Sequence, residues 1–120
     1  FVAAACAQGR TVVTGAAELR VKESDRIAVM ADGLRALGVD ATPTPDGMVI
    51  EGRGDRGAVF ASGAVDAHGD HRIAMSFAVA ALRAAGDLTV RDTANVATSF
   101  PGFEALARSA GLRIESREQA

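Results

Sequence analysis

The clearest hydrophobic pattern in the chain lies between residues 27 and 37. Apolar residues recur there three or four positions apart, at Ile27, Met30, Leu34 and Leu37, which places them on one face of a helix. Ser24 is the expected N-cap, Asp25 suits the positive end of the helix dipole, and Gly38 is the expected C-cap. The pattern therefore predicts a helix with one buried face.

The segments around this helix predict short strands and one more helix. Residues 1–8 form an alanine-rich helix that ends at Gly9 and leads into a β-branched strand, TVVT. Residues 39–52 read as two short strands around a Pro-Asp-Gly turn. Residues 53–63 are glycine-rich, and we expect a surface loop there with a short strand at AVF.

The second half of the chain continues the alternation of helices and strands. Asp70 is the expected N-cap of an alanine-rich helix that runs through Ala85. DLTVRD predicts a strand, PGFEALARSAG a helix with Pro101 in its first turn, and LRIES a closing strand. We expect the helices to lie on one side of each sheet.

Two segments of the chain resemble each other. FVAAACAQGRTVV and AVAALRAAGDLTV each combine a small-residue helix, a glycine and a strand, and a further helix and strand follow both. Such similarity indicates a repeated βαβαβ-type unit. Coincidence is the alternative that a single sequence leaves open.

Length and composition narrow the classes of function. With 120 residues, the chain is one domain or less. Apolar residues make up 48% of it, but no run approaches the roughly 20 needed to cross a bilayer, so we expect a soluble protein. A net charge of −2 without a lysine-rich run argues against nucleic acid or membrane as a partner. The single cysteine, Cys6, suits a reducing compartment and a small core residue.

Two predicted helices begin with the same kind of residue. SDRIAVM and DHRIAMS place Arg26 and Arg72 in their first turns. A cation at this positive helix end costs roughly 0.3–1 kcal/mol, whereas a bound anion would reverse the sign and accept hydrogen bonds from the guanidinium groups. The alternative is that each arginine pairs with its neighbouring carboxylate, Asp25 or Asp70.

The only lysine of the chain, Lys22, precedes Glu23 and the first of these helices. An adjacent lysine and glutamate often form a solvated ion pair. Beside an anion site, however, both groups could transfer protons, and lysine suits this role better than arginine because its pKa can be shifted into a useful range. We therefore regard Lys22 and Glu23 as a candidate proton-transfer pair.

The residues before the second of these helices also allow a metal-binding interpretation. His68, Asp70 and His71 have the spacing H-x-D-H, but a matching distant ligand is missing and Asp70 is already a candidate cap. We favour a structure in which His71 is a neutral polar wall of an anion site. Gly52 and Gly54 form the only G-x-G, and it lacks the strand-turn-helix context of a nucleotide loop.

The stretches LRVKESDRIAVMADGLRALGV, GDHRIAMSFAVAAL and ATSFPGF closely resemble the C-terminal part of the 5-enolpyruvylshikimate-3-phosphate synthase (3-phosphoshikimate 1-carboxyvinyltransferase) family. The resemblance implies an α+β fold made of βαβαββ-type repeat units of an inside-out barrel, with helices packed under mixed sheets. Residues 1–120 would be part of one domain, in the C-terminal part of a two-domain parent enzyme. The chain lacks an initiator methionine, and we expect the upstream part and the partner domain to be absent.

The resemblance also implies a reaction. The enolpyruvyl group of phosphoenolpyruvate moves to the 5-hydroxyl of shikimate 3-phosphate and phosphate is released, without a metal or an organic cofactor. By the same resemblance, Arg26 and Arg72 bind phosphoenolpyruvate, while Lys22 contacts both substrates and helps to move the hydroxyl proton. We expect a cytoplasmic, monomeric parent that belongs to aromatic amino acid biosynthesis, with no nucleic acid or membrane partner.

Three further residues have roles that the resemblance implies. Glu23 is the acid and base at the methylene carbon, and Asp70 and His71 are supporting groups at the site. The sequence departs from many members of the family at Thr98, where they carry a lysine, and at Glu18, where some carry an asparagine. The alternatives are the related transferase that acts on UDP-N-acetylglucosamine, against which KESDR argues, and a non-catalytic anion-binding module.

Overall fold

Residues 1–117 are described by a computed structural model. The helices are α1 (Val2–Cys6), α2 (Arg26–Ala36), α3 (His71–Ala80), α4 (Asn95–Ser99) and α5 (Phe103–Ser109). The strands are β1 (Gln8–Val13), β2 (Ala41–Thr44), β3 (Gly47–Arg53), β4 (Gly63–Asp66) and β5 (Leu88–Arg91). Short 3-10 turns at Ala17–Val21 and Ala81–Arg83 precede α2 and follow α3.

The first three strands form an antiparallel sheet in the order β1-β3-β2. The predicted hairpin is confirmed, since Thr44 pairs with Gly47 across the turn between β2 and β3. Met48 and Ile50 of β3 are buried, whereas Val12 of β1 is exposed. Strands with one buried face are typical of an antiparallel sheet, and α2 packs against β2 at this sheet.

The remaining two strands, β4 and β5, pair in parallel, with Val65 opposite Val90. Parallel neighbours require a crossover connection, and α3 provides it. The sequence pattern did not predict β4. The strand has only four residues and buries only one of them, Val65, so it shows no clear alternation of apolar and polar residues. The chain from β4 into α3 turns at His68 and Gly69, both of which have positive φ angles.

The buried face of α2 is the one that the spacing predicted. Ile27, Met30, Leu34 and Leu37 are all buried. Gly38 follows the last helical turn with a φ of +84°, and the Val39 amide donates to the Leu34 carbonyl at 2.9 Å. This is the hydrogen-bond pattern of a glycine that ends a helix, so the predicted end of α2 is confirmed.

The start of α2 differs from the prediction by one residue. Asp25, and not Ser24, is the N-cap, because the Asp25 carboxylate accepts a hydrogen bond from the Ala28 amide at 3.1 Å. The Ser24 hydroxyl points elsewhere and donates to Asp70 at 2.7 Å. The expected cap of α3 is confirmed, since Asp70 accepts from the Arg72 amide at 3.0 Å.

Helix α3 ends earlier than the sequence predicted, at Ala80 rather than Ala85. The reason is a tertiary contact, since the Arg83 carbonyl accepts hydrogen bonds from the Val59 and Phe60 amides and the Phe60 carbonyl accepts one from Ala85. These hydrogen bonds hold residues 83–85 beside residues 59 and 60, so the helix cannot continue through them. The predicted strand at AVF is accordingly wrong and is reduced to one bridge between Phe60 and Ala84.

The ends of the chain show further differences. Helix α1 stops at Cys6, and Gln8 already belongs to β1. Pro101 lies in the turn before α5, which begins only after Gly102. The predicted closing strand at LRIES is wrong, because residues 112–116 form no strand. Within residues 1–117, we find no helix that is both long and apolar enough to cross a membrane.

Candidate active site

A buried carboxylate joins the N-terminal turns of α2 and α3. Asp70 is fully buried, and its Oδ2 accepts hydrogen bonds from the Ser24 hydroxyl at 2.7 Å and from Arg26 Nε at 2.9 Å. Its Oδ1 caps α3 through the Arg72 amide and lies 3.3 Å from Arg26 Nη2. One side chain thereby fixes two helices that are distant in the sequence.

These hydrogen bonds keep Asp70 ionised. Burial alone would raise the pKa of this carboxyl group, because desolvation disfavours the charged form. The bonds from Arg26, Ser24 and the Arg72 amide act in the opposite direction and lower the pKa of Asp70 below its ordinary value. At neutral pH the group is therefore a carboxylate that compensates the buried guanidinium.

Arg26 is the arginine that this carboxylate holds. Arg26 is itself buried, and its guanidinium also donates to the carboxylate of Glu23, three residues earlier in the sequence. The alternative in which Arg26 pairs with its neighbour Asp25 does not hold. Arg26 is therefore a fixed positive group with two carboxylate partners.

Asp25 has a different basic partner. The Asp25 carboxylate accepts from Arg20 Nη1 at 2.8 Å, and Arg20 also donates to the carbonyls of Thr44 and Pro45 in the β2–β3 hairpin. The pKa of Asp25 is lowered, chiefly by the backbone hydrogen bond from Ala28. Arg20 therefore ties the hairpin to the start of α2.

Arg72 is placed differently from Arg26. Its side chain is exposed, and among residues 1–117 we find no hydrogen bond or ion pair that its guanidinium makes. The interaction with Asp70 involves only the Arg72 backbone amide. Arg72 thus retains the full hydrogen-bonding capacity of its five N–H donors.

The two arginines line a single hollow of about 830 Å³ between α1, α2 and α3, which we call the arginine hollow. Its other walls are mostly apolar and include Leu19, Met30 and Met75, together with a third arginine, Arg83. Arg72 and Arg83 bring positive charge to the hollow without a carboxylate partner among residues 1–117, whereas the charge of Arg26 is already balanced by Asp70 and Glu23. The arrangement is suited to a small anion with carboxylate or phosphate oxygens.

The other predicted site residues do not line the arginine hollow. Lys22 Nζ donates to Glu18 at 3.0 Å, so Lys22 and Glu23 are not paired with each other. Both side chains are partly exposed. His71 is half-buried in the first turn of α3. The structure therefore brings Arg26, Glu23 and Asp70 into direct contact, and leaves Lys22 and His71 outside that network.

The spacing H-x-D-H does not bring three ligands together. Asp70 is occupied by Arg26 and Ser24, whereas His68 is exposed and lies 4.0 Å from Asp66. Over the part of the chain that the structure describes, we find no group of three histidine, cysteine or acidic side chains placed to hold a metal ion.

Sequence reasoning missed Ser24 and Arg20 as parts of this region. The available signal was the pair of adjacent capping residues in Ser24-Asp25, since one helix start needs only one of them. Arg20 gave no comparable signal, because its partners lie in a hairpin more than 20 residues away.

Comparison with known proteins agrees with this architecture. Residues 1–106 match the family model of EPSP synthase (3-phosphoshikimate 1-carboxyvinyltransferase). The chain is 67% identical over 115 residues to the 3-phosphoshikimate 1-carboxyvinyltransferase of Methylococcus capsulatus, covering 96% of this chain and 25% of the relative. The enzyme of the same name from Acidithiobacillus ferrooxidans is 63% identical, with the same coverage.

A solved structure shows the same fold. EPSP synthase from Acinetobacter baumannii superimposes with a TM-score of 0.92 at 61% identity, over 97% of this chain and 27% of that chain. The chain belongs to the EPSP synthase family, and the resemblance and the α+β fold class predicted from the sequence are confirmed. It spans about a quarter of the length of the curated relatives that it matches.

Proposed function

We propose that the protein carrying this chain transfers the enolpyruvyl group of phosphoenolpyruvate to the 5-hydroxyl of shikimate 3-phosphate and releases phosphate. Membership of the EPSP synthase family supports this function. The observation that carries it is the placement of Arg26 and Arg72 on one hollow, with the Arg72 guanidinium free of ion pairs within residues 1–117.

The chain would supply one wall of the reaction site. Since it spans about a quarter of its relatives, we propose that residues 1–120 are part of one domain in a two-domain enzyme. The second domain would close over the arginine hollow and provide the remaining contacts to shikimate 3-phosphate. We further propose that the whole protein is a cytoplasmic monomer.

Arg72 is the principal ligand of phosphoenolpyruvate in this proposal. Its planar guanidinium can bind a carboxylate or a phosphate through two parallel hydrogen bonds. Arg26 contributes N–H donors from a fixed position, because Asp70 and Glu23 hold its guanidinium and balance its charge. This division of roles explains why two arginines stand at helix ends that otherwise disfavour cations.

Glu23 and Lys22 would move the protons. Addition of the 5-hydroxyl across the enol double bond requires a proton on the methylene carbon, and elimination of phosphate requires its removal. Glu23, bonded to Arg26 at the edge of the arginine hollow, would serve as this acid and base. Lys22 would contact both substrates and assist the hydroxyl proton, after release from Glu18. Asp70 would support the site through Arg26, and His71 from the first turn of α3.

The test is a reaction carried out with the full-length protein. Phosphate release and calorimetric binding are measured with phosphoenolpyruvate and shikimate 3-phosphate, and in parallel with UDP-N-acetylglucosamine as the acceptor. We expect turnover only with shikimate 3-phosphate. Turnover with the amino sugar would identify the related transferase instead. No turnover with either acceptor would indicate a non-catalytic anion-binding module.

A further inference from the structure

We propose that Ser24 is a positioning residue whose hydroxyl holds the Lys22–Glu23 segment in register with the first turn of α3. This inference rests on the proposed function. Ser24 directly follows the candidate proton-transfer residues Lys22 and Glu23 in the sequence, and its side chain donates to Asp70. It acts through Asp70 and has no contact with substrate in this scheme.

The segment between the 3-10 turn and α2 has little regular structure to hold it. Residues 22–25 form neither helix nor strand, and the side chains of Lys22 and Glu23 are partly exposed. A helical backbone hydrogen bond fixes its last residue, since the Val29 amide donates to the Asp25 carbonyl at 2.9 Å, but residues 22–24 lie outside the helix. The position of residues 22–24 depends on side-chain contacts, which each of the three residues makes.

Two further contacts hold the segment to α2 and the hairpin. Asp25 caps α2 and binds Arg20. The Ser24 hydroxyl joins the segment to α3, because its acceptor Asp70 is the N-cap of that helix. Ser24 consequently fixes the distance between the Lys22–Glu23 segment and the helix that carries Arg72.

The chemistry of Asp70 explains why a hydroxyl is needed here. Asp70 Oδ2 is buried, and Arg26 Nε is its second donor. Loss of the Ser24 hydroxyl would leave this buried carboxylate oxygen with one donor fewer, and hydrogen bonds to charged groups are stronger than those between neutral groups. The segment would also lose its direct hydrogen bond to Asp70 and would be joined to the start of α3 through Arg26, which binds both Glu23 and Asp70.

The experiment compares Ser24→Ala and Ser24→Thr in the full-length protein, with Ser62→Ala as the matched control. Ser62 donates one hydrogen bond to the Asp87 carbonyl on the surface, away from the arginine hollow. For Ser24→Ala we expect kcat to fall about tenfold or more, with a smaller change in KM for phosphoenolpyruvate. Ser24→Thr, which keeps the hydroxyl, should retain most of kcat, and Ser62→Ala should leave it unchanged.

A second measurement does not depend on turnover. Amide hydrogen exchange of Ala28 and Arg72, whose N–H groups donate to the carboxylates of Asp25 and Asp70, should be faster by about tenfold in Ser24→Ala and close to wild type in Ser24→Thr when measured without substrates. An inactive wild-type enzyme would therefore overturn the proposed function and still leave the role of Ser24 testable. If Ser24→Ala does not fold, Ser24→Cys replaces it, because a thiol is a weak donor of similar size.

Wild-type exchange and wild-type kcat in Ser24→Ala would overturn the proposal. It would also be overturned if Ser24→Thr were as impaired as Ser24→Ala in both measurements, because the hydroxyl would then not be the cause. A fall in kcat without faster exchange would assign Ser24 a role other than positioning this segment.

Discussion

The Arg26 guanidinium and the Asp70 carboxylate form an ion pair, with Nε and Oδ2 2.9 Å apart, that joins two helix starts separated by 44 positions in the sequence. Both residues are buried. The pair therefore couples the stability of the fold to the geometry of the site, because α2 and α3 cannot move apart without separating these charges.

We expect Asp70→Asn to destabilise the protein by about 3–5 kcal/mol, the range for breaking a buried ion pair by removing one partner. The amide would leave Arg26 without its buried counter-charge. Denaturant unfolding measures the change, with Asp32→Asn as the control, since Asp32 is exposed and makes only a 3.9 Å pair with Arg35. A loss below about 1 kcal/mol would contradict the assigned role of Asp70.

The stability of the protein should also depend on pH through Asp70. Its pKa is lower in the folded than in the unfolded protein, so the contribution is present above the unfolded value of about 3.9 and is lost as the pH falls below it toward the folded value. Unfolding measured between neutral and acidic pH should show this loss. Asp70→Asn should reduce the slope in that acidic range, and an unchanged slope would contradict the lowered pKa.

Arg72→Gln should weaken phosphoenolpyruvate binding with little effect on stability. Loss of charge-assisted hydrogen bonds of about 1.5–3 kcal/mol corresponds to an affinity lower by roughly tenfold to a hundredfold. Stability should stay within about 0.5 kcal/mol, because the side chain is exposed. Calorimetry and thermal unfolding of the full-length protein measure both, with Arg10→Gln as a control on the sheet. Unaltered affinity would exclude Arg72 as a ligand.

Lys22→Met and Glu23→Gln should each lower turnover by about two to four orders of magnitude, the usual contribution of a general acid or base. Both side chains are partly exposed, so the melting temperature should change little. Steady-state kinetics compares them with Glu51→Gln, whose carboxylate pairs with Arg10 on the surface. An unchanged rate in either variant would exclude the substituted residue from proton transfer.

The close approach of α2 and α3 at Gly33 gives a prediction about packing. A Cβ atom at this position would lie 2.3 Å from Cζ of Phe77, which is fully buried. Gly33→Ala gains about 1 kcal/mol of helix propensity but overpacks the core at a cost of about 1–3 kcal/mol. We expect a net loss of about 1 kcal/mol in unfolding experiments. A more stable variant would show that the Phe77 ring can move aside.

Local patterns in the sequence predicted the features that local forces control. The spacing of Ile27, Met30, Leu34 and Leu37 identified the buried face of α2, because helix periodicity alone decides which residues share a face. The cap of α3 and the end of α2 at Gly38 followed from the preferences of single residues.

Features controlled by distant partners could not be predicted in this way. The choice between Ser24 and Asp25 as the cap depends on Asp70, 46 positions away. The early end of α3 depends on hydrogen bonds from residues 59 and 60 to the Arg83 carbonyl. The sequence predicted an anion site formed by Arg26 and Arg72, and the two residues do line one hollow. It did not predict that Arg26 is held by carboxylates while Arg72 is unpaired within residues 1–117.

The unequal surroundings of the two arginines have a consequence for work at different ionic strengths. The charges of Arg26 and Asp70 are shielded from mobile ions by burial, so added salt should barely affect them. Arg72 is accessible, and chloride or inorganic phosphate in a buffer can compete for it directly. The measured affinity for an anionic ligand at Arg72 should therefore vary with the buffer anion, whereas the stability of the fold should not.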